Sequence, residues 1–463
     1  MLDPDYGWHV GMGRYILENG IPKTDPFSYT MPSYPFVDHE WLLNILFYWA
    51  DNSIGKNGLA IIFGLLAFGA LYLTPRWKGW ELGVILATGI ILIRTGVRPQ
   101  VLDWVFIVIL WRIFENREVW NKWRWGIIPG FVLWTNLHGG YAIGILMLLW
   151  MIVCRQIEER TLRLDEWGWW LGGLGATLLN PYGWRIWWEV GMQITDRGLQ
   201  WNIAEWQPFY TQVEPSFWFL ALLWLFITVK TKQKTWWKIT TVGIVFLAGL
   251  KSLRHTAIFA VLGSQELPRL IDNFWKGLKQ KEMRVRAGQV YLLFLTIGLG
   301  LLGLVTILQI IGFLKGGLEY PKKAVLYLQT QEVAGNIFSD YGWGGYLIWK
   351  YPQQKVFIDG RMPSWRWVAP NGEADMAMDE YKKVYFEGDF RDVFSKYDVQ
   401  TVVLPVAKKR TTLDEINFKI EMGIKKWMKI EKGVVRKNLV EELIKEGWVK
   451  VYEDGVVVVY RDN

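Results

Sequence analysis

Long apolar runs separated by short polar connections fill the middle of the chain. They lie at 56–74, 80–94, 100–114, 125–138, 139–154, 167–181, 215–229, 237–251, 254–265 and 288–314. Runs with so little charge predict helices that are buried on all sides or face lipid. The stretch from Ala287 to Leu314 carries no charge at all. Several runs fall short of the ~20 residues that a simple span needs. Those are expected to tilt, kink or be shielded by neighbouring helices. Before the first run, the segment from Asp3 to Trp41 is polar, acidic, aromatic and broken by proline. After residue 316 the pattern becomes that of a water-facing domain. Gln400 to Pro405 and Trp448 to Tyr460 alternate as strands, the second a hairpin turning at Asp454-Gly455. Lys355 to Asp359 reads as a further strand, and 380–396 and 434–446 read as helices. The expected architecture is an α-helical polytopic membrane bundle of about ten transmembrane helices, followed by a C-terminal α/β domain. The expected divisions are 1–55, a first acidic segment with surface helices, 56–315, the bundle, and 316–463, the α/β domain.

Composition sharpens this picture. The chain has 463 residues, 51% hydrophobic, with 31 Trp and a net charge of +8. The excess charge sits in connections near 75–79, 115–124, 155–165, 230–238 and 266–286. By the positive-inside rule these face the cytoplasm, so the charge is a topology signal and argues against nucleic acid as a partner. The alternate connections then face outward: 1–55, 95–99, 136–140, 182–214, 251–254 and everything after 316. The expected location is the cell membrane, inner or plasma, multi-pass, with the α/β domain extracytoplasmic. No membrane helix precedes the acidic segment, so a leading anchor is expected to be missing. Cys154 is the only cysteine and lies in an apolar run. That excludes an intrachain disulfide and a cysteine-based metal cluster.

The outward connections hold all four histidines, His9, His39, His138 and His255, together with most of the unusual polar residues. Ionisable groups at a membrane boundary are costly unless they serve a site. Asp3-Pro4-Asp5 reads as a helix start with Asp3 as cap, which leaves Asp5 and His9 four apart on one helix face. Asp25-Pro26 reads as a turn. Asp38-His39-Glu40-Trp41 starts the next helix with Asp38 as cap. Arg94 and Arg98 lie a turn apart. Asn136-Leu137-His138-Gly139-Gly140 interrupts an apolar run with a tight turn. Glu205 lies in a Trp-rich loop, and Arg254-His255 ends a helix. Cationic donors of this kind suit a phosphate at a membrane surface. In the α/β domain, Asp340 lies in SDYGWGGY and Asp359 and Arg361 in FIDGR. Neither block has the spacing of a dinucleotide fingerprint or a P-loop.

Together the DPDYGWH segment, the multi-span bundle and the outward C-terminal domain resemble the GT-C superfamily of membrane glycosyltransferases. The likeness extends over nearly the whole chain. It is closest to bacterial membrane proteins carrying DPD-x-x-WH, NLHGG and DYGWGG…FIDGR blocks. SDYGWGGY is similar to the end of the oligosaccharyltransferase WWDYG motif, with Phe338 and Ser339 standing where that motif has two tryptophans. The resemblance implies a polyprenyl-phosphate-linked sugar donor, membrane lipids as surroundings, and a glycan, lipid or protein acceptor. It implies Asp5, with Asp3 second, as the carboxylate that takes the acceptor's proton. Arg254, His255 and Arg98 would stabilise the leaving phosphate. His9, His39, Glu40, Asn136, His138, Glu205, Asp340, Asp359 and Arg361 would complete the substrate site. Some relatives use Mg2+ or Mn2+, for which Asp5 and His9 are the candidate ligands. Two other readings compete. One is a transporter or flippase of lipid-linked saccharides, though no internal repeat is seen. The other is a non-catalytic glycan-binding membrane protein.

Overall fold

The computed structural model describes residues 3–196, 198–199, 203–212, 214–232, 234–314, 319–331, 333–370, 372–406, 423 and 438–462. It is mostly helical, with one four-stranded sheet near the C-terminus. The chain forms two compact units. One contains His39–Leu43 and Ala50–Gly317, the other Leu2–Asp38, Asn44–Trp49 and Leu318–Asn463. The expected boundary at 315 and 316 lies outside the described residues.

The chain opens with α1 (Tyr6–Asn19), which belongs to the second unit, and α2 (Trp41–Ser53). The helical unit then continues with α3 (Gly55–Tyr72), α4 (Trp80–Arg94), α5 (Gln100–Phe114), α6 (Arg117–Trp123), α7 (Ile127–Leu137), α8 (Tyr141–Glu159), α9 (Leu164–Ala176) and α10 (Arg185–Thr195). It closes with α11 (Pro215–Lys230), α12 (Trp236–Lys251), α13 (Thr256–Lys276) and α14 (Lys281–Leu314). Every apolar run therefore folds as a helix, but the expectation of about ten spans is not met. Among the described residues, α3, α8 and α14 are long and apolar enough to cross a membrane. The others fail for a physical reason. Helices such as α4 and α5, 15 residues each, reach about 22 Å against a hydrocarbon core of about 30 Å. α13 is long enough but charged in its second half. It continues to Lys276, so a connection expected to begin at Glu266 is helix instead.

α13 is the core of this unit. Every residue from Thr256 to Ile271 is buried, and the helix packs against α4, α5, α11 and α12. Glu266 and Arg269, a turn apart, pair inside it. A second ionic layer crosses the C-terminal ends of α5 and α8 and the start of α12. Glu166 is fully buried and receives Arg155 and Arg117. Lys238 pairs with Glu115 at 3.1 Å. Glu158 accepts the backbone N–H groups of Trp236 and Trp237 and so caps α12. α14 differs from the rest, because only 11% of its most apolar stretch is buried by protein.

The second unit joins α1 to α15 (Lys322–Gln329), β1 (Asn336–Ser339), α16 (Gly344–Lys350), α17 (Ala377–Glu387), α18 (Arg391–Lys396), β2 (Val399–Pro405), α19 (Leu439–Lys445), β3 (Val449–Glu453) and β4 (Val457–Arg461). The sheet order is β1-β2-β4-β3. β1 and β2 are parallel, and β4 is antiparallel to both its neighbours. The expected hairpin is present, with Asp454 accepting the N–H groups of Val456 and Val457. Of the helix expected at 434–446, Leu439–Lys445 forms, and 434–437 lie outside the described residues. The strand expected at 355–359 reduces to Val356, which makes single bridges to Ser28 and Ile337. These bridges tie the first acidic segment to the sheet.

α1 packs on α16 with their backbones in contact. A Cβ on Gly7 would collide with the Gly345 carbonyl, and one on Gly345 with the Pro4 carbonyl. That gives Gly345 of the WGG block a packing role, and Gly344 has one too, since a Cβ there would collide with the Ile358 carbonyl. FIDGR has one as well. Arg361 is buried, pairs with both oxygens of Asp359 at 2.8 and 2.7 Å, and reaches Asp25 at 2.8 Å. Burial alone would lower its pKa, but the two carboxylates raise it instead. Asp25 also accepts the N–H groups of Phe27 and Ser28, which makes the expected turn. Replacing Arg361 with Leu strands two buried carboxylates and is expected to cost about 3–5 kcal/mol. Hydrogen exchange of β1 and β2 should accelerate accordingly, and unchanged protection would contradict this account of the triad.

Candidate functional site

Six helix ends of the helical unit meet around His138. They are the C-terminal ends of α7 and α12 and the N-terminal ends of α2, α5, α8 and α13. His138 itself is the C-cap of α7 in an extended conformation, followed by Gly139 and Gly140, the N-cap of α8. It is 3% exposed, so its polar atoms need partners. Nδ1 lies 2.7 Å from Asp103 Oδ2. Asp103 sits in the first turn of α5, where the helix dipole favours an acid. Its other oxygen accepts Trp134 Nε1–H at 2.8 Å. The space for this carboxylate exists because residue 140 is glycine; a Cβ there would overlap the Asp103 carboxyl group. The Gly140 N–H also approaches Nδ1, at 3.2 Å.

On the opposite edge of the ring, Nε2 faces two groups. Glu40 Oε1 lies at 3.3 Å and Arg254 Nη2 at 3.1 Å. Glu40 is the N-cap of α2 and is buried. The same oxygen lies 3.7 Å from His39 Nε2. Arg254 continues to Glu205 at 3.5 Å and stacks over the Trp206 ring at 5.0 Å. Glu205 also takes Arg98 at 3.0 Å. A short backbone clasp holds this side together: Ser252 Oγ donates to the Glu205 carbonyl and Leu253 N–H to the Gln207 carbonyl. The order is thus Asp103, His138, Glu40 with Arg254, Glu205, Arg98, an alternation of acid and base along one chain of contacts.

Asn136 lies two residues before the cap. Its amide donates to the Val132 and Leu179 carbonyls and its oxygen accepts Trp41 Nε1–H at 2.7 Å. Trp41 and Asn136 also line a cavity of about 860 Å³ together with Leu42, Val132, Leu179 and Pro181. This cavity is largely apolar and includes Trp41, next in sequence to Glu40, and Asn136, two residues before His138. His255 borders the same cluster but differs in charge. Burial lowers its pKa to about 4, with Arg254 and Lys251 adding to the effect and Asp103 and Glu205 opposing it. With a pKa that low the ring is neutral near pH 7, so toward a phosphate it would offer an N–H donor rather than a charge.

The remaining expected residues belong to the other unit. Asp3 is not the N-cap of α1, which starts at Tyr6 with Asp5 as cap; Asp3 Oδ1 accepts the Asp5 N–H at 2.9 Å. Asp5 Oδ1 lies against Gly360. His9 is buried, with Nδ1 2.7 Å from Asn44 Oδ1 and its ring stacked on Trp8. Asn44 in turn donates to both oxygens of Asp38, which therefore does not cap α2. Asp340 accepts the Gly342 N–H and caps a short turn before α16; burial raises its pKa, opposed by that bond and by Tyr385. Asp359 and Arg361 are engaged in the triad already described. Asp5 and His9 make a poor fit for Mg2+ or Mn2+. His9 Nδ1 is taken by Asn44, and these cations prefer near-octahedral oxygen donors. Among the described residues no group of three or more His, Cys, Asp or Glu is arranged to hold a metal.

Sequence reading missed Asp103. Its signal was present: it is the one acid inside the run 100–114, and a lone acid in an apolar helix marks a site or a buried partner.

No protein-family model matches this sequence, and no curated protein is significantly similar to it.

His255 yields a pH test. Its folded-state pKa of about 4 lies below the usual value of 6.5. The stability conferred by the neutral ring is therefore present above pH 6.5 and is lost as the pH falls through about 4. The loss should reach about 3 kcal/mol at 1.36 kcal/mol per pKa unit. Unfolding midpoints measured across that window should fall more steeply for the wild type than for His255→Asn. Parallel curves would contradict the assignment.

Proposed function

We propose that this protein is an integral membrane glycosyltransferase of GT-C type, transferring a sugar from a polyprenyl-phosphate-linked donor to an acceptor on the outer face. The observation that carries the reading is the cluster of the helical unit. Acids, histidines and arginines from well-separated parts of the sequence converge around His138, beside a largely apolar cavity of about 860 Å³. A lipid-linked, phosphate-bearing donor has the same two-part chemistry. The apolar chain would lie against Leu42, Val132 and Leu179. The phosphate would meet Arg254 and Arg98, which now share Glu205. α3, α8 and α14 are long and apolar enough to supply membrane anchorage.

Inversion at the sugar carbon needs a carboxylate to accept the proton of the acceptor hydroxyl. The first acidic segment supplies three candidates, Asp5, Asp3 and Glu40. The resemblance favours Asp5, and the proximity of cations and imidazole favours Glu40. Histidines and arginines also suit a binding protein, but a relay of alternating acids and bases is what proton transfer uses.

Reconstituted vesicles carrying polyprenyl-phosphate-linked [14C]glucose or [14C]mannose test the reading. Wild-type protein should move label to an acceptor or to water. Asp5→Ala and Glu40→Gln separate the two candidates: the residue acting as base should lose about 100-fold or more in rate, while its rival changes little. If the wild type moves no label from either donor, the glycosyl-transfer proposal is wrong.

A further inference from the structure

His138 has a feature that an ordinary structural histidine lacks. Its Nδ1 is pinned by Asp103 at 2.7 Å, and its Nε2 has both an acceptor and a donor within reach. Neutral imidazole carries one N–H and one lone pair. A carboxylate at 2.7 Å is the strongest acceptor near Nδ1 and draws the proton to that nitrogen. Nε2 is then left with two states. When bare, it accepts from Arg254, which can only donate. When protonated, it donates to Glu40 Oε1 at 3.3 Å. A buried polar atom left without a partner costs about 1–3 kcal/mol. At Nε2 neither state leaves the ring atom without a partner, and the Gly140 N–H that faces Nδ1 at 3.2 Å loses that acceptor in both states alike, so a proton can arrive and depart without adding that penalty. A histidine serving only as a strut needs one arrangement, not both.

We propose that Glu40 and His138 form a proton-relay pair, pinned by Asp103, that takes up the proton released when the acceptor hydroxyl attacks. The proposal rests on the glycosyl-transfer reading for the identity of that hydroxyl. The step balances as follows. The acceptor oxygen forms a bond to the anomeric carbon while the bond from that carbon to the donor phosphate oxygen breaks. The bonding pair leaves with the phosphate, and the hydroxyl proton passes to Glu40. Glu40 hands it to His138 Nε2, which later returns it to the departed phosphate or to water. Glu40 is the catalytic residue, since it would touch the acceptor. His138 acts through Glu40, and Asp103 is a positioning residue that fixes the tautomer. The 3.7 Å approach of His39 to Glu40 gives the pair its more exposed end, because His39 retains 19% of its side-chain exposure against 3% for His138.

The test reads the tautomer directly. The 15N spectrum of histidine side chains is recorded on the full chain in lipid nanodiscs, with the His138 signals identified by their loss in His138→Gln. In the wild type, Nδ1 should be protonated and Nε2 should lie between the protonated and bare limits. Asp103→Asn presents an amide to Nδ1 and should move the proton to Nε2. Glu40→Gln removes the anionic acceptor and should shift Nε2 toward the bare limit. A wild-type His138 with bare Nδ1, or a tautomer unchanged by both substitutions, would overturn the relay. This measurement needs no substrate, so it separates the two ideas. The predicted tautomer shifts with no turnover of either labelled donor would leave the relay standing and remove glycosyl transfer. Turnover with an unmoved tautomer, and with less than a tenfold rate loss in Asp103→Asn, would do the reverse.

Discussion

A carboxylate inside a helical bundle has to be supplied with donors, and much of the candidate site follows from how this chain supplies them for Asp103. Trp134 on α7 gives one N–H, and His138 at the end of the same helix sets its Nδ1 against the other carboxylate oxygen. Both therefore come from one face of one helix end, and that end is fixed against α5. Glycine at 140 keeps the space open as the chain turns into α8. With the ring held at Nδ1, its far edge is aimed at Glu40 and Arg254. Arg254 is in turn located by Glu205, which gathers Arg98. Remove the acid and no single replacement partner fixes the direction of Nε2. A buried charge of this kind is weak as a source of stability; its value lies in fixing orientation.

The same reasoning accounts for how the second unit uses its conspicuous motifs. DPD, DYGWGG and FIDGR stand out in the sequence because they combine acids with glycines. In the folded unit the glycines let α1 and α16 approach backbone to backbone. The acids either cap turns, as Asp340 does, or neutralise a buried guanidinium, as Asp25 and Asp359 do. A distinctive block in a sequence marks a demanding environment, and close packing is as demanding as chemistry.

The positions of the helices were legible because long uncharged runs admit few alternatives. Their lengths as spans were not, since apolar content alone does not separate a helix buried by protein, such as α13, from one left bare, such as α14. In the site, the histidines and arginines were legible as a set because each interrupts an apolar pattern. Their partners were harder. Asp103 was hidden by the apolar run around it, and the pairing of Arg98 with Arg254 through Glu205 joins residues far apart in sequence. The grouping of Asp5 with His39 and His138 followed from the outward side assigned to all of them; in the fold Asp5 and His9 belong to the unit with the sheet, His39 and His138 to the helical unit. Helix starts were misplaced at Asp3 and Asp38 because both acids bind other groups, the Asp5 N–H and the Asn44 amide.

Charge sits at two levels along α12, and the spacing between them carries a consequence for the surroundings of the helical unit. The levels are marked by Lys238, paired with Glu115, and by Lys251, which borders the His138 cluster. The rise between these residues is about 20 Å, against about 30 Å for the hydrocarbon core of a typical bilayer. Lipids ringing helices this short would have to compress or let headgroups sink, at a cost of fractions of a kcal/mol per ångström. Under the proposed membrane placement, bilayer thickness would then be a control parameter for the protein. In a thin bilayer the charged cluster would sit level with headgroups and water; in a thick one it would be drawn below them, and arrival of any polar reactant would slow.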